Sequence, residues 1–321
     1  MLWIQLGAVV AGLAMLVWSA GRFVDGAAAT AWHLGVAPLL IGILVIGFGT
    51  SAPELTVSVF SAAQGNSGLA LGNAYGSNIA NIGLILGVTA LVAPITVRSA
   101  VLRRELPLLL GVTLLAWLLL ADGRFGRADA AWQLGLFTLL VAWSVFEGLR
   151  NRNDPLAADA VREIPALSLR AGLAWTGVGL VLLVVASRVL VWGAVGLAQA
   201  VGVSDLVIGL TVVAVGTSLP ELASALVAAR RGEHELALGN VLGSNLFNTL
   251  LVASTAAMIA PGDVEPKLIA RDLPMMAAFT VALLAMGLGL HGEGRINRVE
   301  GTALVTAFCG YTAWLAVGAL G

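Results

Sequence analysis

Long apolar stretches separated by short polar connections dominate this chain of 321 residues. Each stretch approaches or exceeds the roughly 20 apolar residues that one membrane crossing needs. The pattern predicts about ten spanning helices, near residues 2–30, 36–63, 69–94, 105–121, 128–149, 170–199, 204–229, 236–260, 270–290 and 297–320. The chain is therefore predicted to be an all-α integral membrane protein embedded in a lipid bilayer.

The longest polar stretch divides the predicted helices into two groups of five. It lies within residues 150–169 and reads RNRNDPLAADAVREIPALS from Arg150. This stretch is too short to form a domain. We expect a first five-helix unit over 1–149, a linker over 150–169 and a second five-helix unit over 170–321.

The two groups contain the same polar motif. The first copy reads GTSAPEL from Gly49 and GNAYGSNIAN from Gly72, and the second reads GTSLPEL from Gly216 and GNVLGSNLFN from Gly239. The offset is 167 residues throughout, and 18 of the 36 positions from Gly49 to Leu84 are identical to their counterparts. Unrelated apolar helices would share leucine and valine, whereas these copies share polar residues. The chain is therefore interpreted as a duplication whose halves kept their chemistry.

Basic residues are distributed unevenly between alternate predicted loops, and basic loops stay in the cytoplasm. The odd-numbered loops hold Arg22, Arg98, Arg103, Arg104, Arg150, Arg152, Arg162, Arg170, Arg230, Arg231, Arg295 and Arg298, and the even-numbered loops hold only Arg124, Arg127, Lys267 and Arg271. This predicts a plasma or inner membrane protein with both termini outside and the 150–169 loop in the cytoplasm. Because each half has five crossings, the second repeat is inverted relative to the first, as in many secondary transporters.

Composition removes several classes of function. Hydrophobic residues make up 59% of the chain and charged residues 11%, with a mean hydropathy of +0.96, which leaves no room for a soluble domain. The net charge of −1 without a basic block gives no sign of a nucleic-acid partner. A single cysteine, Cys309, excludes an intrachain disulfide or thiolate metal site. No Ser-His, Asp-Asp or HExxH pattern falls at membrane depth, so neither an enzyme nor a cofactor is expected.

Glu54 and Glu221 are the only acidic residues predicted to lie far from a helix end. One such charge costs from about 3 to more than 10 kcal/mol at that depth, depending on how it is measured. Two facing carboxylates also repel, so either protons or cations must occupy the gap. Pairing with arginine is the structural alternative, but only Arg188 is predicted to lie within a span.

Each glutamate follows a proline and two hydroxyl residues. Pro53 and Pro220 cannot donate to the carbonyl four residues back, so we expect kinks that free backbone carbonyls. A freed carbonyl inside a membrane needs a partner, and a cation is one. Spacings of i, i+1 and i+4 place oxygens on one helix face. The residues with this spacing are Thr50, Ser51, Thr217 and Ser218, and two further helices add Ser77, Asn81, Ser244 and Asn248.

These oxygens fit either calcium or sodium. Calcium takes 6–8 hard oxygens, and two bidentate glutamates with two freed carbonyls supply about six of them. Sodium needs fewer and could combine single carboxylate oxygens with the four serines. One Ca²⁺ or two Na⁺ balance the two glutamate charges, so the ions would compete. The structural alternatives are hydroxyls that bond back to helix carbonyls and glycines that serve only helix packing.

The paired motifs resemble the alpha-repeats of the cation/calcium exchanger superfamily, in particular prokaryotic sodium/calcium exchangers, over nearly the whole chain. The resemblance implies an antiporter that exchanges Na⁺ for Ca²⁺ by alternating access, in which the helices near 2–30 and 170–199 slide across a static core. A Ca²⁺/H⁺ exchanger of the same fold is the alternative. No obligate protein partner is expected.

The resemblance also implies roles for individual residues. Glu54 and Glu221 would bind calcium together with the backbone carbonyls of Thr50 and Thr217. The flanking sodium sites would use Ser51, Ser77, Ser218, Ser244, Asn81 and the carbonyls of Gly47 and Ala214. Asn81 and Asn248 stand where several exchangers place an aspartate, which argues against potassium co-transport and leaves the number of sodium ions open.

Overall fold

The computed structural model describes residues 2–35, 49–97, 100–150, 165–230, 232, 234–288 and 294–320, and most of them are helical. The first half contains α1 (Leu2–His33), α2 (Ala52–Ala63), α3 (Ser67–Ala80), a π-helical segment (Asn81–Leu86), α4 (Gly87–Val92), β1 (Ile95–Val97), α5 (Ala100–Leu120), β2 (Arg124–Phe125) and α6 (Arg127–Arg150). The fold is therefore helical apart from short strands.

The second half begins with a long helix, α7 (Leu169–Val201). The Ser168 side chain caps its first turn by accepting from Ala171 N, and Gly202 ends it with a positive φ of 75°. The elements that follow are α8 (Asp205–Ile208), a π-helical segment (Gly209–Val213), α9 (Ala214–Thr217), α10 (Leu219–Arg230), α11 (His234–Phe247), a π-helical segment (Asn248–Val252), α12 (Ala253–Ile259), β3 (Gly262–Asp263), a π-helical segment (Leu268–Asp272), α13 (Leu273–Leu288), β4 (Gly294–Ile296) and α14 (Arg298–Leu320).

The repeated sequence folds into repeated local structure. Helices α2 and α10 begin and end at residues that are 167 positions apart, and so do α3 and α11. In each half a π-helical segment follows directly, starting at Asn81 and at Asn248. The duplicated residues therefore dictate the backbone of both copies, including its irregular turn.

Two short antiparallel ladders join the halves. Strand β1 pairs with β4, with Thr96 opposite Arg295, and β2 pairs with β3, with Arg124 opposite Asp263. Each ladder contains one strand from each half, and the two strands of the first half pair with different strands of the second. Two copies related by a two-fold axis would pair their strands in this way.

The longest helices, α1 and α7, pack against each other along their lengths. Glycines bring their backbones together: a Cβ added at Gly12 would lie 2.9 Å from Leu190 Cα, and one added at Gly26 would lie 2.5 Å from Thr176 N. The same holds for Gly179 against Phe23 N at 2.7 Å. Small residues permit this close approach, so the two helices form a tightly packed pair.

A second close contact positions the candidate site. Helix α3 packs against α8 and the π-helical segment Gly209–Val213. A Cβ at Gly76 would lie 2.7 Å from Leu210 Cα, and one at Gly209 would lie 2.7 Å from Leu69 O. Nearly every residue of α3 from Leu69 to Ala80 is buried. The polar side chains of α3 are therefore held inside the bundle.

Six helices within the described residues are long and apolar enough to cross a membrane, and a seventh is reached if the bent pair Asp205–Thr217 and Leu219–Arg230 is one span. The predicted helix over 36–63 is described only from Gly49, because residues 36–48 lie outside the described residues. The segment Glu105–Leu120 is a shorter apolar helix. The total of ten crossings therefore stays a prediction.

Several arginines assigned to loops lie inside helical segments instead, including Arg103 and Arg104 in α5, and two of them, Arg22 and Arg271, have described partners there. Arg22 lies within α1, where its guanidinium is 5.3 Å from the centroid of the Trp175 ring and 3.8 Å from Asp25. Arg271 lies in a π-helical segment and contacts Asp272 at 2.6 Å. A long side chain with an acidic or aromatic partner can remain within an apolar helix. The loop assignments of these arginines were therefore wrong.

Candidate cation site

Both copies of the motif break their helix at the same serine. Ser51 has φ −87° and ψ 9°, and Ser218 has φ −85° and ψ 8°. A proline follows two residues later in each copy and cannot continue the hydrogen-bond ladder. In the second copy the helix axis turns by 43° at this point. The predicted kink is confirmed in the second copy, and the matching dihedral angles show that Ser51 has the same local conformation in the first. Both serines are buried.

The two glutamates are held by hydrogen bonds that cross between the halves. Ser51 Oγ donates to Glu221 Oε1 at 3.0 Å, and Ser218 Oγ donates to Glu54 Oε1 at 2.9 Å. All four side chains are buried. Because each serine serves the carboxylate of the opposite half, the two motifs interlock and bring both acids into one cluster.

Each glutamate keeps one oxygen without a partner. Glu54 Oε2 and Glu221 Oε2 are buried and accept no hydrogen bond from the described residues. Neither carboxylate is in a salt bridge within that part of the chain, and Arg188 instead lies over the Phe60 ring at 5.7 Å. A buried charge without a partner is expensive. The two free oxygens therefore create a strong preference for a cation or a proton.

The serines of α3 and α11 complete the ring of hydroxyls. Ser244 Oγ lies 3.1 Å from Ser51 Oγ and donates to Glu221 Oε1 at 3.4 Å. Ser77 Oγ lies 3.5 Å from Thr217 Oγ1 and donates to Ala214 O at 3.5 Å. All four predicted serines therefore belong to one buried polar cluster.

The remaining predicted residues take different places. Ala214 O accepts from Ser218 N at 3.1 Å and from Thr217 Oγ1 at 3.2 Å, so its carbonyl faces the cluster. Thr50 lies half-buried in the turn before α2. Gly47 lies outside the described residues. The roles of these three residues stay predictions.

The two predicted asparagines are both buried but differ in their contacts. Asn81 Nδ2 donates to Asn245 Oδ1 at 2.9 Å, while Asn81 Oδ1 has no hydrogen-bond partner among the described residues. Within the same part of the chain, neither polar atom of the Asn248 side chain has a partner. The two positions are equivalent in sequence, so this difference comes from their surroundings.

Asn73 supports the site but was not assigned a role from the sequence. Its Nδ2 donates to the backbone oxygen of Glu54 at 3.0 Å and to Ser58 Oγ at 2.9 Å, and its Oδ1 accepts from Thr217 Oγ1 at 3.1 Å. It therefore ties α2 to the motif of the second half. The available signal was its identity in both copies, since Asn240 stands at the equivalent position.

The chemistry of the cluster selects hard cations. The described residues hold no group of three or more His, Cys, Asp or Glu side chains suited to a metal ion. The donors are carboxylate, hydroxyl, amide and carbonyl oxygens, which suit Ca²⁺ and similar hard ions more than zinc or copper. A cation bound here would need oxygens from both halves.

Long apolar helices around a buried cluster of acids, hydroxyls and amides define a class: integral, multi-pass membrane proteins that move ions. The family model described as "Sodium/calcium exchanger protein" matches residues 4–146 and 171–317. The chain belongs to this family. Its members are membrane ion exchangers, which are transporters and not enzymes.

Individual relatives agree with this placement. The chain is 47% identical over 305 residues to the "Putative antiporter CaxA" of Alkalimonas amylolytica, covering 94% of this chain and 96% of the relative. It is 32% identical to the "Sodium/calcium exchanger MaX1" of Methanosarcina acetivorans, covering 95% and 96%. A solved structure of the sodium-calcium exchanger NCX_Mj matches with a TM-score of 0.67 and 30% identity, covering 98% of this chain and 99% of that one. The resemblance to prokaryotic exchangers is confirmed.

Proposed function

We propose that this protein is a secondary antiporter that exchanges Na⁺ for Ca²⁺ across the membrane by alternating access. The observation that carries the proposal is the pair of hydrogen bonds that cross between the halves, Ser51 to Glu221 and Ser218 to Glu54. They gather two buried acids and leave one oxygen of each acid unoccupied by the described residues. The names of MaX1 and NCX_Mj support sodium and calcium as the exchanged ions.

In this proposal calcium binds between the two acids. Glu54 and Glu221 supply carboxylate oxygens, and the backbone carbonyls of Thr50 and Thr217 complete the shell. Two carboxylates neutralise one Ca²⁺. Because both acids come from different halves, neither half binds calcium alone.

Sodium binds beside the calcium position and competes with it. Its ligands are the hydroxyls of Ser51, Ser77, Ser218 and Ser244, the amides of Asn81 and Asn248, and the carbonyls of Gly47 and Ala214. Sodium also uses single oxygens of the Glu54 and Glu221 carboxylates, and sharing these oxygens makes occupation by the two ions mutually exclusive. Since both amides are neutral, potassium is not co-transported. No cofactor or protein partner is needed.

We place these residues in a ten-helix protein built from two inverted five-helix repeats, 1–149 and 170–321. The family model matches the chain in two segments separated at the same linker. The strand ladders also support this topology, because each joins two loops that the ten-helix arrangement puts on one side of the membrane. From the arginine distribution we infer a plasma or inner membrane protein with both termini outside and the 150–169 loop in the cytoplasm.

Alternating access would come from movement of the α1–α7 pair across the site. Two side chains of α1 lie against the glycines that precede the kink serines: a Cβ at Gly216 would collide with Leu13 Cδ2, and one at Gly49 would lie 2.5 Å from Val24 Cγ2. A shift of α1 along its axis would uncover one position while covering the other. The side of the membrane to which the acids are open would change accordingly.

A calcium/proton exchanger is the second candidate. The observation that favours it is the same pair of unpartnered glutamate oxygens, which could carry protons instead of sodium. The name of CaxA, an antiporter without a stated ion, is compatible with either candidate.

One flux experiment separates the two candidates. Purified protein is reconstituted in liposomes loaded with Na⁺, and Ca²⁺ uptake is followed with the pH gradient clamped. We expect uptake to require internal Na⁺ and to stop when an impermeant cation replaces it. Uptake that persists without Na⁺ and follows an imposed pH gradient would reject sodium exchange in favour of the proton mechanism.

A further inference from the structure

One hydrogen bond between the halves fixes the orientation of a site amide. Asn81 Nδ2 donates to Asn245 Oδ1 at 2.9 Å, and both side chains are buried. Asn81 Oδ1 is buried and lacks a partner within the described residues. Because the nitrogen end of this amide is held, the oxygen is the end that remains available to a cation.

The orientation of Asn245 is itself fixed by the backbone. Asn245 Nδ2 donates to the backbone carbonyl of Asn78 at 3.4 Å. A carbonyl oxygen can only accept, so the Asn245 amide must turn its nitrogen toward Asn78 and its oxygen toward Asn81. The orientation of Asn81 is therefore set through Asn245 by the backbone of α3.

The equivalent hydrogen bond of the other half is not made. Asn248 and Asn78 stand 167 positions from Asn81 and Asn245 in the repeat, so the counterpart would run from Asn248 Nδ2 to Asn78 Oδ1. Both of these atoms are buried without a hydrogen-bond partner among the residues that the structure describes. The nitrogen of Asn248 therefore has no acceptor that selects one amide orientation.

Two sequence differences between the halves explain the missing bond. Thr249 stands where the first half has Ile82, and its Oγ1 donates to Asn245 O at 2.9 Å and accepts from Asn78 Nδ2 at 2.7 Å. Met276 stands where the first half has Leu109, and its sulfur accepts from the same Asn78 nitrogen at 3.4 Å. Isoleucine and leucine cannot accept a hydrogen bond. The Asn78 amide therefore bonds to Thr249 and Met276 of the second half and not to Asn248.

We propose that Asn245 is a positioning residue that holds the Asn81 amide with its oxygen turned to a bound sodium ion. The Asn81 amide is preorganised, whereas the Asn248 amide must order on binding. Preorganisation lowers the cost of binding, so the Asn81 oxygen is the better prepared of the two amide ligands. This inference rests on the proposed function, since it assigns sodium to the same cluster.

The test is a sodium titration of the purified full-length protein, read as the rise in melting temperature that a bound ligand produces. Replacing Asn245 with leucine removes the acceptor of Asn81 at similar volume. Loss of one neutral hydrogen bond predicts about a five-fold higher Na⁺ concentration at half effect. In an Asn81→Ala background the same replacement should change the titration little, because its effect is transmitted through Asn81.

The two-fold counterpart is the matched control. Asn78→Leu removes a side chain that makes no hydrogen bond to Asn248, so it should lower the melting temperature without shifting the sodium midpoint. Combined with Asn248→Ala, it should act additively. If Asn245→Leu unfolds the protein, Asn245→Ala in both backgrounds gives the same comparison with a smaller side chain.

Different failures point to different errors. An unchanged sodium midpoint in Asn245→Leu, or an equal shift in the Asn81→Ala background, would overturn the positioning role while wild-type sodium exchange stands. A wild-type protein that shows neither stabilisation by Na⁺ nor Na⁺-driven Ca²⁺ flux would overturn the proposed function and this inference with it.

Discussion

The two halves share a backbone but not a hydrogen-bond network. Helices α2 and α10 match residue for residue, and both are broken at a serine with nearly the same φ and ψ. At the acids the side chains also match, since each serine donates to the opposite glutamate. At the amides they differ, because Asn81 is held and Asn248 is not. Symmetry is thus kept where calcium is proposed to bind and lost where sodium is proposed to bind.

This difference suggests which parts of the duplication are constrained. A single Ca²⁺ between two acids needs both halves equally, so a change on either side removes half of its charge balance. The proposed sodium ligands include single serines and amides of each half, so a change in one half need not be matched in the other. Substituting equivalent residues of the two halves therefore tests this difference.

The largest effect is expected at the acids. Glu54→Gln and Glu221→Gln should each reduce Ca²⁺ transport in liposomes by about 100-fold or more, because one carboxylate cannot balance a divalent ion at membrane depth. Melting temperatures should be preserved, since removing a charge that is unpaired in the described residues relieves a burial cost. Loss of transport in only one of the two variants would contradict an equal role of the two acids.

The second-largest effect is expected at Ser51 and Ser218, the serines that donate to the glutamate of the opposite half. Ser51→Ala and Ser218→Ala each remove a hydrogen bond to a charged group, which predicts roughly a ten-fold or greater rise in the half-saturating Ca²⁺ concentration. Ser61→Ala is the control, because the buried Ser61 hydroxyl donates to Val57 O of its own helix at 2.8 Å, and the second half has Ala228 there. An equal effect of all three substitutions would show that the crossing bonds carry no special role.

A pair of glycines tests the packing that positions α3. An alanine at Gly76 would place its Cβ 2.7 Å from Leu210 Cα and 2.9 Å from Ala214 Cβ, whereas one at Gly310 meets nothing within 4 Å among the described residues. Gly76→Ala should destabilise the protein by about 1–3 kcal/mol. Gly310 is exposed on α14, so Gly310→Ala should leave the melting temperature unchanged or raise it, because alanine favours a helix. Equal melting temperatures would contradict the described contact between the halves.

The smallest effect is expected at the amides. Asn248→Asp adds a buried carboxylate where the side chain has no hydrogen-bond partner within the described residues, so it should lower the melting temperature in the absence of Na⁺ and raise the Hill slope for Na⁺. Asn81→Asp instead faces Asn245 Oδ1 with an acceptor at about the 2.9 Å of the present bond, so it should weaken Na⁺ binding. Identical Na⁺ curves for the two variants would remove the proposed asymmetry.

Much of this architecture could be predicted from the sequence, because a carboxylate, a proline and two hydroxyls inside an apolar run have few structural uses. The kink serines and the burial of Glu54 and Glu221 follow from local residue types. The crossing of Ser51 to Glu221 could not be predicted, since i, i+1 and i+4 spacing places oxygens on a face without saying which partner they meet.

Other features depend on contacts that lie far apart along the chain. Asn73 bonds to both halves, and its repetition in the sequence marked it without indicating a partner. The difference between Asn81 and Asn248 arises from Thr249 and Met276, two neutral exchanges that look like ordinary variation in an apolar helix. The packing of Arg22 against Trp175 of the other half could not be predicted either.

The central claim is that one cation is bound jointly by an acid from each half. Calorimetric titration of Ca²⁺ into the wild-type protein, Glu54→Gln and Glu221→Gln tests it most directly. We predict one Ca²⁺ per chain for the wild type and no measurable binding by either variant, with both variants folded. Calcium binding retained by both variants would contradict the account.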